Sequence, residues 1–216
     1  MLFVIIAWLV LGFLTMGVAG LYFAVMVRTS RKPWAFETDE KYLPKISMII
    51  PTFNEASVIG FKLLNVSRLD YPSSLLQVIV VDSNSNDGTV DIVRDFGSRH
   101  PSLDLKSLSL SEKGKTAALN FALGNVASDV VVISDADCFY ERDMLKKAIP
   151  YLSVSDVGAI SGVKLILNKA SSGSAKTEAS YLASMNGIKL GESKLGFTPL
   201  FEGGFSAYKT DAIKAF

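Results

Sequence analysis

The first 27 residues, Met1 to Val27, contain no charged side chain. They consist mainly of Leu, Val, Ile, Phe and Ala, and the run is longer than the roughly 20 residues that a helix needs to cross a bilayer core. A secretory signal peptide would carry a basic segment before a shorter apolar core and would end in a small-residue cleavage site. No basic side chain precedes this run. The apolar run therefore predicts a transmembrane helix over residues 1–27.

The charges that flank the apolar run predict its orientation. Arg28, Arg31 and Lys32 follow it directly, and basic residues next to a membrane span favour the cytoplasmic side. A single cysteine, Cys138, agrees with a reducing compartment. We therefore expect a single-pass membrane protein whose remaining residues are cytoplasmic.

The composition excludes several classes of protein. With 49% hydrophobic residues and a net charge of +1, the chain is too apolar to be disordered. The near-equality of 22 basic and 21 acidic residues gives no electrostatic footprint for nucleic acid, so no nucleic-acid partner is expected. One cysteine allows neither an internal disulfide nor a cysteine-rich zinc site.

After a polar connector over residues 28–44, apolar runs alternate with segments of helical periodicity. This alternation predicts an α/β fold with a mostly parallel sheet and helices on both faces. Strands are expected over residues 45–50, 76–81, 103–110, 129–134, 158–167 and 201–208. Helices are expected over residues 55–69, 115–123, 144–152 and 175–190, together with one that begins at Thr89 as its N-cap.

Polar segments follow the three strongest predicted strands. They cover residues 51–55, 82–88 and 135–137. Ligands of open α/β sheets bind beyond the carboxyl ends of the strands, so all three segments are expected at one ligand-binding edge. This convergence is the main functional signal in the sequence.

The third segment carries two carboxylates, Asp135 and Asp137, two residues apart. At the end of a buried strand both can face one hard cation, and Mg²⁺ or Mn²⁺ is commonly held by one or two carboxylates together with substrate phosphates. The pair alone is weak evidence, because a helix cap or a solvated turn would show the same spacing. Its position favours a metal site.

Asp82 and the lysines near residue 114 are further candidates. Asp82 could accept hydrogen bonds from a nucleobase or ribose, or it could be a turn residue in a segment rich in Asn, Asp and Ser. Lys113 and Lys115 precede or begin a predicted helix. A helix N-terminus beside a lysine suits a phosphate, although a solvated loop charge is equally compatible with the sequence.

Taken in order, four segments resemble the motifs of the family 2 glycosyltransferases. They are residues 49–55 (IIPTFNE), 80–89 (VVDSNSNDGT), 114–120 (GKTAALN) and 135–137 (DAD). The resemblance implies a GT-A fold, a nucleotide-diphosphate sugar donor and a divalent metal, Mg²⁺ or Mn²⁺. Many members of the family invert the anomeric centre.

The later part of the chain is similar to the membrane-bound polysaccharide synthase branch, which includes hyaluronan, cellulose and poly-N-acetylglucosamine synthases. The similar stretches are residues 191–196 and 202–209. The resemblance implies that they line the sugar and acceptor site, with Gly203 and Gly204 on the acceptor side. A glycine pair lets a backbone approach a ligand closely, but it could equally be a turn into the last strand.

The resemblance also implies roles for individual residues. Asp137 would be the principal metal ligand, with Asp135 at the ribose or at the metal-bound diphosphate. Ser83 departs from the family pattern, because many members carry a second aspartate there. The implied donor-binding residues are Pro51, Thr52, Glu55, Asp82, Ser83, Lys115, Asp135 and Ala136.

These observations predict a membrane-anchored, metal-dependent inverting glycosyltransferase. It would transfer a sugar from a nucleotide-diphosphate sugar to a saccharide or a polyprenyl-phosphate acceptor. The catalytic general base of the related synthases lies downstream of the glycine pair, so we expect it beyond Phe216 and expect the glycosyltransferase domain over residues 45–216 to be incomplete at its C-terminus. The alternative is a catalytically incomplete nucleotide-sugar-binding or scaffold subunit with the same fold.

Overall fold

The computed structural model describes residues 1–163, 173–198, 201 and 204–216. Contacts between backbone positions divide the chain into two compact units. The helical unit comprises Met1–Phe36 and Val163–Leu200. The sheet unit comprises Glu37–Gly162 and Phe201–Phe216.

A six-stranded sheet forms the centre of the sheet unit. Its strands are β1 (Ile46–Thr52), β2 (Leu76–Asp82), β3 (Asp104–Ser109), β4 (Val130–Ile133), β5 (Ala159–Ser161) and β6 (Ser206–Lys209). Their order across the sheet is β3-β2-β1-β4-β6-β5. The first four in this order are parallel, whereas β6 runs antiparallel to both β4 and β5. The predicted α/β fold with a largely parallel sheet is confirmed.

Helices cover both faces of this sheet. They are α2 (Ile59–Ser67), α3 (Thr89–Arg99), α4 (Lys115–Leu123) and α5 (Met144–Ala148). Met48 and Ile50 of β1 belong to the core cluster beneath α2, α3 and α5, whereas Ile49 belongs to the cluster beneath α4. Because successive side chains of a strand point to opposite faces, a strand covered on both sides is apolar throughout. This explains why the central strands read as uninterrupted apolar runs.

Pro51 lies inside β1, although the sequence predicted that it would end the strand. Ile49 accepts a hydrogen bond from the amide of Ser134, which follows β4, and Thr52 accepts one from the amide of Ser83, which follows β2. Backbone groups alternate in direction along a strand, so the nitrogen of Pro51 faces the β4 side. The ladder with β4 stops at the pair Ile49 and Ile133, directly before the position at which the N–H that proline lacks would have been the next donor.

Other element boundaries also differ from the sequence prediction. The helix expected from residue 55 begins at Ile59, and Gly88 rather than Thr89 is the N-cap of α3. Gly88 has φ 92°, a conformation that favours glycine. The helix expected over residues 144–152 ends at Ala148 and continues as the 3₁₀ turn Ile149–Ser153, which contains a proline. Of the strand expected over residues 158–167, the structure has β5 at Ala159–Ser161, and residues 164–167 lie outside the described residues.

The helical unit contains α1 (Leu2–Ser30) and α6 (Gly173–Lys194). α1 runs three residues past the predicted span, and by length and composition it could cross a membrane. Gly191 of α6 lies so close to α1 that a Cβ atom there would stand 2.3 Å from the carbonyl oxygen of Met26. The Tyr22 hydroxyl donates to the Glu192 carboxylate, and the Lys194 ammonium donates to the Ser30 carbonyl at 2.7 Å. α6 therefore packs on the C-terminal third of α1.

Candidate active site

The turn after β4 brings together the residues that could hold a metal ion. Asp135 is half-buried, Ala136 is buried and Asp137 is exposed. One ligand atom from each of Asp135, Asp137 and Cys138 lies within 4.8 Å of the others. Two carboxylates in this arrangement fit a hard divalent cation, and the neighbouring thiol is a softer third group. We call residues 134–138 the acidic turn.

Lys115 joins the start of α4 to the acidic turn. Its ammonium forms an ion pair with the Asp135 carboxylate. The preceding residue, Gly114, is the N-cap of α4 and has φ 136°, which a side chain would disfavour. A lysine and the N–H groups of a helix N-terminus are therefore presented beside the carboxylates, an arrangement suited to a phosphate. The contact of Lys115 with a nucleotide-sugar donor stays a prediction.

Asp82 ends β2 next to Thr52, its partner in the β1–β2 register. The Asp82 carboxylate is 2% exposed. It accepts hydrogen bonds from the Thr52 hydroxyl at 3.2 Å, the Ser85 amide at 2.8 Å and the Ser85 hydroxyl at 2.5 Å. Asp82 thus stabilises the turn, which is one of the two roles that the sequence left open. Its contact with a nucleotide-sugar donor stays a prediction. Ser83 is buried beside it.

The loop after β1 is fastened to the loop after β2. Asn54 and Asn84 both adopt the left-handed backbone conformation, with φ 56° and 64°, which asparagine tolerates better than most residues. Hydrogen bonds then cross between the two loops. In each of them a backbone N–H donates to a side chain. The N–H of Asn54 donates to the Ser85 hydroxyl (2.8 Å), that of Glu55 to the Thr89 hydroxyl (2.9 Å), that of Ala56 to the Asp87 carboxylate (2.9 Å) and that of Asn86 to the side-chain carbonyl of Asn54 (3.0 Å).

These contacts were not predicted from the sequence, although the Asn- and Ser-rich composition of residues 83–88 indicated turn chemistry. Asp87 is central to them, because it also accepts a hydrogen bond from the Thr89 hydroxyl at 2.6 Å. This bond, followed by the one from the Ala56 amide, lowers the pKa of Asp87. The two loops therefore behave as one polar scaffold beneath the expected nucleoside site.

Glu55 lies within the electrostatic field of the acidic turn. Its pKa is raised, first by partial burial and then by repulsion from Asp137, Asp87 and Asp135. Because β1 is parallel to both β2 and β4, the loops after these three strands lie at one edge of the sheet, as the carboxyl-end rule predicted. The excess negative charge is also what a divalent cation would neutralise.

A buried lysine lies behind the acidic turn. Lys62 of α2 is 0% exposed. Its ammonium donates to the Cys138 carbonyl and lies 3.9 Å from the centre of the Tyr140 ring. Burial lowers the pKa of Lys62 to about 7. Sequence reasoning missed it, although a lysine in the buried row with Ile59, Leu63 and Val66 was a usable signal.

Of the predicted glycine pair, Gly204 is buried and Gly203 lies outside the described residues. The Gly204 carbonyl accepts a hydrogen bond from the Tyr140 hydroxyl at 2.5 Å. Burial raises the pKa of Tyr140, so this hydroxyl keeps its proton at neutral pH. The start of β6 is thereby attached to the segment that follows the acidic turn.

The remaining predicted donor residue, Pro51, lies at the same edge in β1, directly before Thr52. The edge thus combines paired carboxylates, a lysine at a helix N-terminus and a polar scaffold of two loops. The model of the family described as "Glycosyl transferase family 2" matches residues 47–216. The chain belongs to this family.

Three known proteins illustrate the similarity. A mannosyltransferase from Pyrobaculum calidifontis, solved with GDP-Man and Mn²⁺, matches with a TM-score of 0.79 and 38% identity over 90% of this chain and 52% of its own. The beta-monoglucosyldiacylglycerol synthase of a Synechocystis species is 32% identical over 59% of this chain and 27% of its length. The poly-beta-1,6-N-acetyl-D-glucosamine synthase of Staphylococcus epidermidis is 26% identical over 89% of this chain and 46% of its length. The chain thus spans about half or less of these relatives.

Proposed function

We propose that this chain forms the donor-binding part of a membrane-anchored, metal-dependent inverting glycosyltransferase. The donor would be a nucleotide-diphosphate sugar, and the acceptor a saccharide or a lipid-linked molecule such as a polyprenyl phosphate. The observation that carries the proposal is the convergence of Asp135, Asp137, Lys115 and Glu55 at one edge of a GT-A sheet. The GDP-Man and Mn²⁺ bound to the Pyrobaculum relative support it.

Each group at this edge has a place in donor binding. Thr52, Asp82 and Ser83 would face the nucleoside, while Lys115 and the N-terminus of α4 would hold the diphosphate. Asp135 and Asp137 would hold Mg²⁺ or Mn²⁺. When bound, such a cation neutralises negative charge on the departing nucleotide diphosphate. Formation of the metal site would release Lys115 from Asp135, so its ammonium could move to a phosphate oxygen.

Transfer with inversion is a single displacement at the anomeric carbon. The acceptor oxygen forms a bond to that carbon as the bond to the diphosphate breaks, and the electron pair leaves with the nucleotide diphosphate. A sugar hydroxyl must lose its proton to a general base. A phosphate acceptor is already ionised and needs no such base. Gly204, for which the family resemblance implies a position on the acceptor side, accepts a hydrogen bond from the Tyr140 hydroxyl.

The membrane anchor of the proposal is α1. Residues 1–25 are exposed in the helical unit, as expected for a helix whose surroundings are lipid. Arg28, Arg31 and Lys32 at its C-terminal end favour a cytoplasmic active site. A Ser102→Cys variant in a Cys138→Ser background tests this orientation. A membrane-impermeant thiol reagent should label the exposed residue 102 only after the cells are permeabilised, and labelling of intact cells would contradict it.

The function is tested by calorimetry of the full chain in detergent micelles. GDP-mannose and UDP-N-acetylglucosamine are titrated with and without Mn²⁺, for the wild type, Asp137→Ala and the control Asp91→Ala. Asp91 pairs with Arg94 on an exposed face of α3, so its loss should change nothing. We expect at least one donor to bind at least tenfold more weakly when Mn²⁺ or the Asp137 carboxylate is removed.

Equal binding with and without Mn²⁺ would contradict metal dependence. Release of the nucleotide diphosphate is then followed with an added acceptor. Donor binding without release from this chain would favour the nucleotide-sugar-binding subunit over the enzyme.

A further inference from the structure

Lys62 occupies an unusual place for a charged residue. It lies in the row of α2 that faces the core, and its side chain is completely buried. Lysine is almost never fully buried unless it is paired, because removing an ammonium from water is costly. None of the ion pairs formed by the described residues includes Lys62. The lysine must therefore be compensated by other groups.

Those groups belong to the segment directly after Asp137. The Lys62 ammonium donates to the Cys138 carbonyl and lies over the Tyr140 ring, and a charged donor makes a stronger hydrogen bond than a neutral one. Asn65 is one turn further along α2. Its side-chain amide donates to the Tyr140 carbonyl at 2.9 Å, and its carbonyl accepts from the Tyr140 amide at 2.9 Å. Helix α2 thus holds residues 138–140 through three hydrogen bonds.

The other end of the acidic turn is also held. The Tyr140 hydroxyl contacts both the Gly204 carbonyl and the Ser134 hydroxyl. A carbonyl can only accept, so the tyrosine proton goes to Gly204 and the serine hydroxyl donates to the tyrosine oxygen. Ser134 immediately precedes Asp135. The two aspartates therefore lie between two fixed points, both of which depend on the segment that α2 holds.

We propose that Lys62 and Asn65 are positioning residues that hold the acidic turn ready for a divalent cation. The proposal rests on the proposed function, in which Asp135 and Asp137 are the metal ligands. A turn that already has its bound geometry loses less conformational entropy when the ion arrives, and the affinity is correspondingly higher. Groups that orient metal ligands from behind typically contribute about 10- to 100-fold in metal affinity.

The charge of Lys62 gives the proposal a sharp alternative. A cation behind the turn repels a second cation in front of it, so charge alone predicts that removing Lys62 strengthens metal binding. Positioning predicts the opposite. Lys62→Met separates the two, because methionine fills a similar volume without a donor or a charge. Replacing a buried charge by an apolar side chain is often neutral or stabilising, so the variant is expected to fold.

The experiment titrates the full chain in detergent micelles with Mn²⁺ alone and follows free Mn²⁺ by electron paramagnetic resonance. Lys62→Met should bind Mn²⁺ at least tenfold more weakly than the wild type. Asn65→Ala changes no charge and should weaken binding in the same direction by a smaller factor. The control is Lys146→Met on α5, because Lys146 is an exposed lysine in a surface pair with Asp70. Its affinity should stay within twofold of the wild type.

Amide hydrogen exchange without metal provides an independent measurement. In both α2 variants, exchange should become at least tenfold faster over residues 135–140 and stay unchanged over residues 83–88. A purely structural role would lower the unfolding temperature and leave both Mn²⁺ affinity and local exchange unchanged, which would overturn the proposal. Tighter Mn²⁺ binding by Lys62→Met would overturn it as well.

The comparison with Asp137→Ala separates the two proposals. If Asp137→Ala binds Mn²⁺ as well as the wild type, the metal assignment in the proposed function is wrong. If Asp137→Ala loses Mn²⁺ binding while Lys62→Met and Asn65→Ala keep it, only the positioning role is wrong.

Discussion

The turns after β2 and β4 lie at the same edge of the sheet but are built in opposite ways. After β2, the Asp82 carboxylate is buried and receives three hydrogen bonds, two from Ser85 in the following loop and one from Thr52 at the end of β1. After β4, the Asp137 carboxylate is exposed. Among the described residues, the Cys138 thiol donates a long hydrogen bond to it, at 3.6 Å. One acid stabilises the site and the other is accessible to a ligand. Position at a strand end therefore does not determine what an aspartate does.

The largest expected effect is that of Asp82→Ala on stability. The substitution removes the acceptor of the half-buried Ser85 backbone N–H and hydroxyl, whereas the Thr52 hydroxyl keeps the Val81 carbonyl at 3.3 Å, and each lost acceptor typically costs 1–3 kcal/mol. We expect the free energy of unfolding to fall by about 3 kcal/mol, measured by denaturant titration of the full chain in micelles. Asp91→Ala is the matched control. An unchanged midpoint would remove the distinction between the two turns.

Asp137→Asn should have the opposite profile. Without metal its unfolding temperature should match that of the wild type, because the carboxylate is exposed. At a Mn²⁺ concentration of about 100 times Kd, the wild type should gain about 2.7 kcal/mol and the variant nothing. Differential scanning fluorimetry with and without Mn²⁺ measures both values. A large loss of stability without metal would show that Asp137 is structural, like Asp82.

Glu55→Gln tests how unfavourable a carboxylate is at this position, first because it is partly buried and then because Asp137, Asp87 and Asp135 repel it. The pKa of Glu55 is raised above 4.5, so the folded state holds its proton more tightly than the unfolded state, and stability falls as the pH rises through that range. The glutamine variant should therefore be more stable than the wild type at pH 7, by less than about 1 kcal/mol because of solvent screening. The difference should vanish below pH 4. Equal stability at both pH values would contradict the raised pKa of Glu55.

Asp87→Asn should show the smallest effect, with the reverse dependence on pH. The pKa of Asp87 is lowered below 3.8, chiefly by the Thr89 hydroxyl. Its contribution to stability is present above that value and is lost as the pH falls through the lower pKa of the folded state. The variant should be slightly less stable at pH 7 and should approach the wild type under acid conditions. Thermal melts between pH 2.5 and pH 7 measure the difference in stability between the variant and the wild type. A difference that stays constant over this range would contradict the prediction.

Much of the fold could be predicted because its signals are local. The helix over Lys115–Leu123 has the predicted bounds, and the buried parallel strands appear as apolar runs. The end of β1 could not be predicted, since whether a proline is tolerated there depends on where β4 stops. The contacts of Gly191, Glu192 and Lys194 with α1 could not be predicted either, and the acceptor-site position that the resemblance implied for residues 191–196 stays a prediction.

The candidate site was predictable to the same degree. The rule that ligands bind at carboxyl strand ends placed Thr52, Asp82 and Asp135 at one edge. The contacts of Lys62 with Cys138 and of Asn65 with Tyr140 join residues about 75 positions apart, and no local pattern encodes such a pair. The roles of Asp82 and Asp137 differ for the same reason, because each depends on what surrounds the carboxylate in three dimensions.

The unequal ends of β1 and β4 give the sheet edge a step. β1 continues three residues past the point where β4 stops, from Ile49 to Thr52, which at about 3.3 Å per residue is a difference in height of about 10 Å. An extended donor bound as proposed would have its nucleoside on the upper level, beside Thr52, and its charged middle above the lower one. The difference in height would match the distance between the nucleoside and the diphosphate. Two additional residues in β4 would raise Asp135 and Asp137 towards the level of the nucleoside, away from the diphosphate.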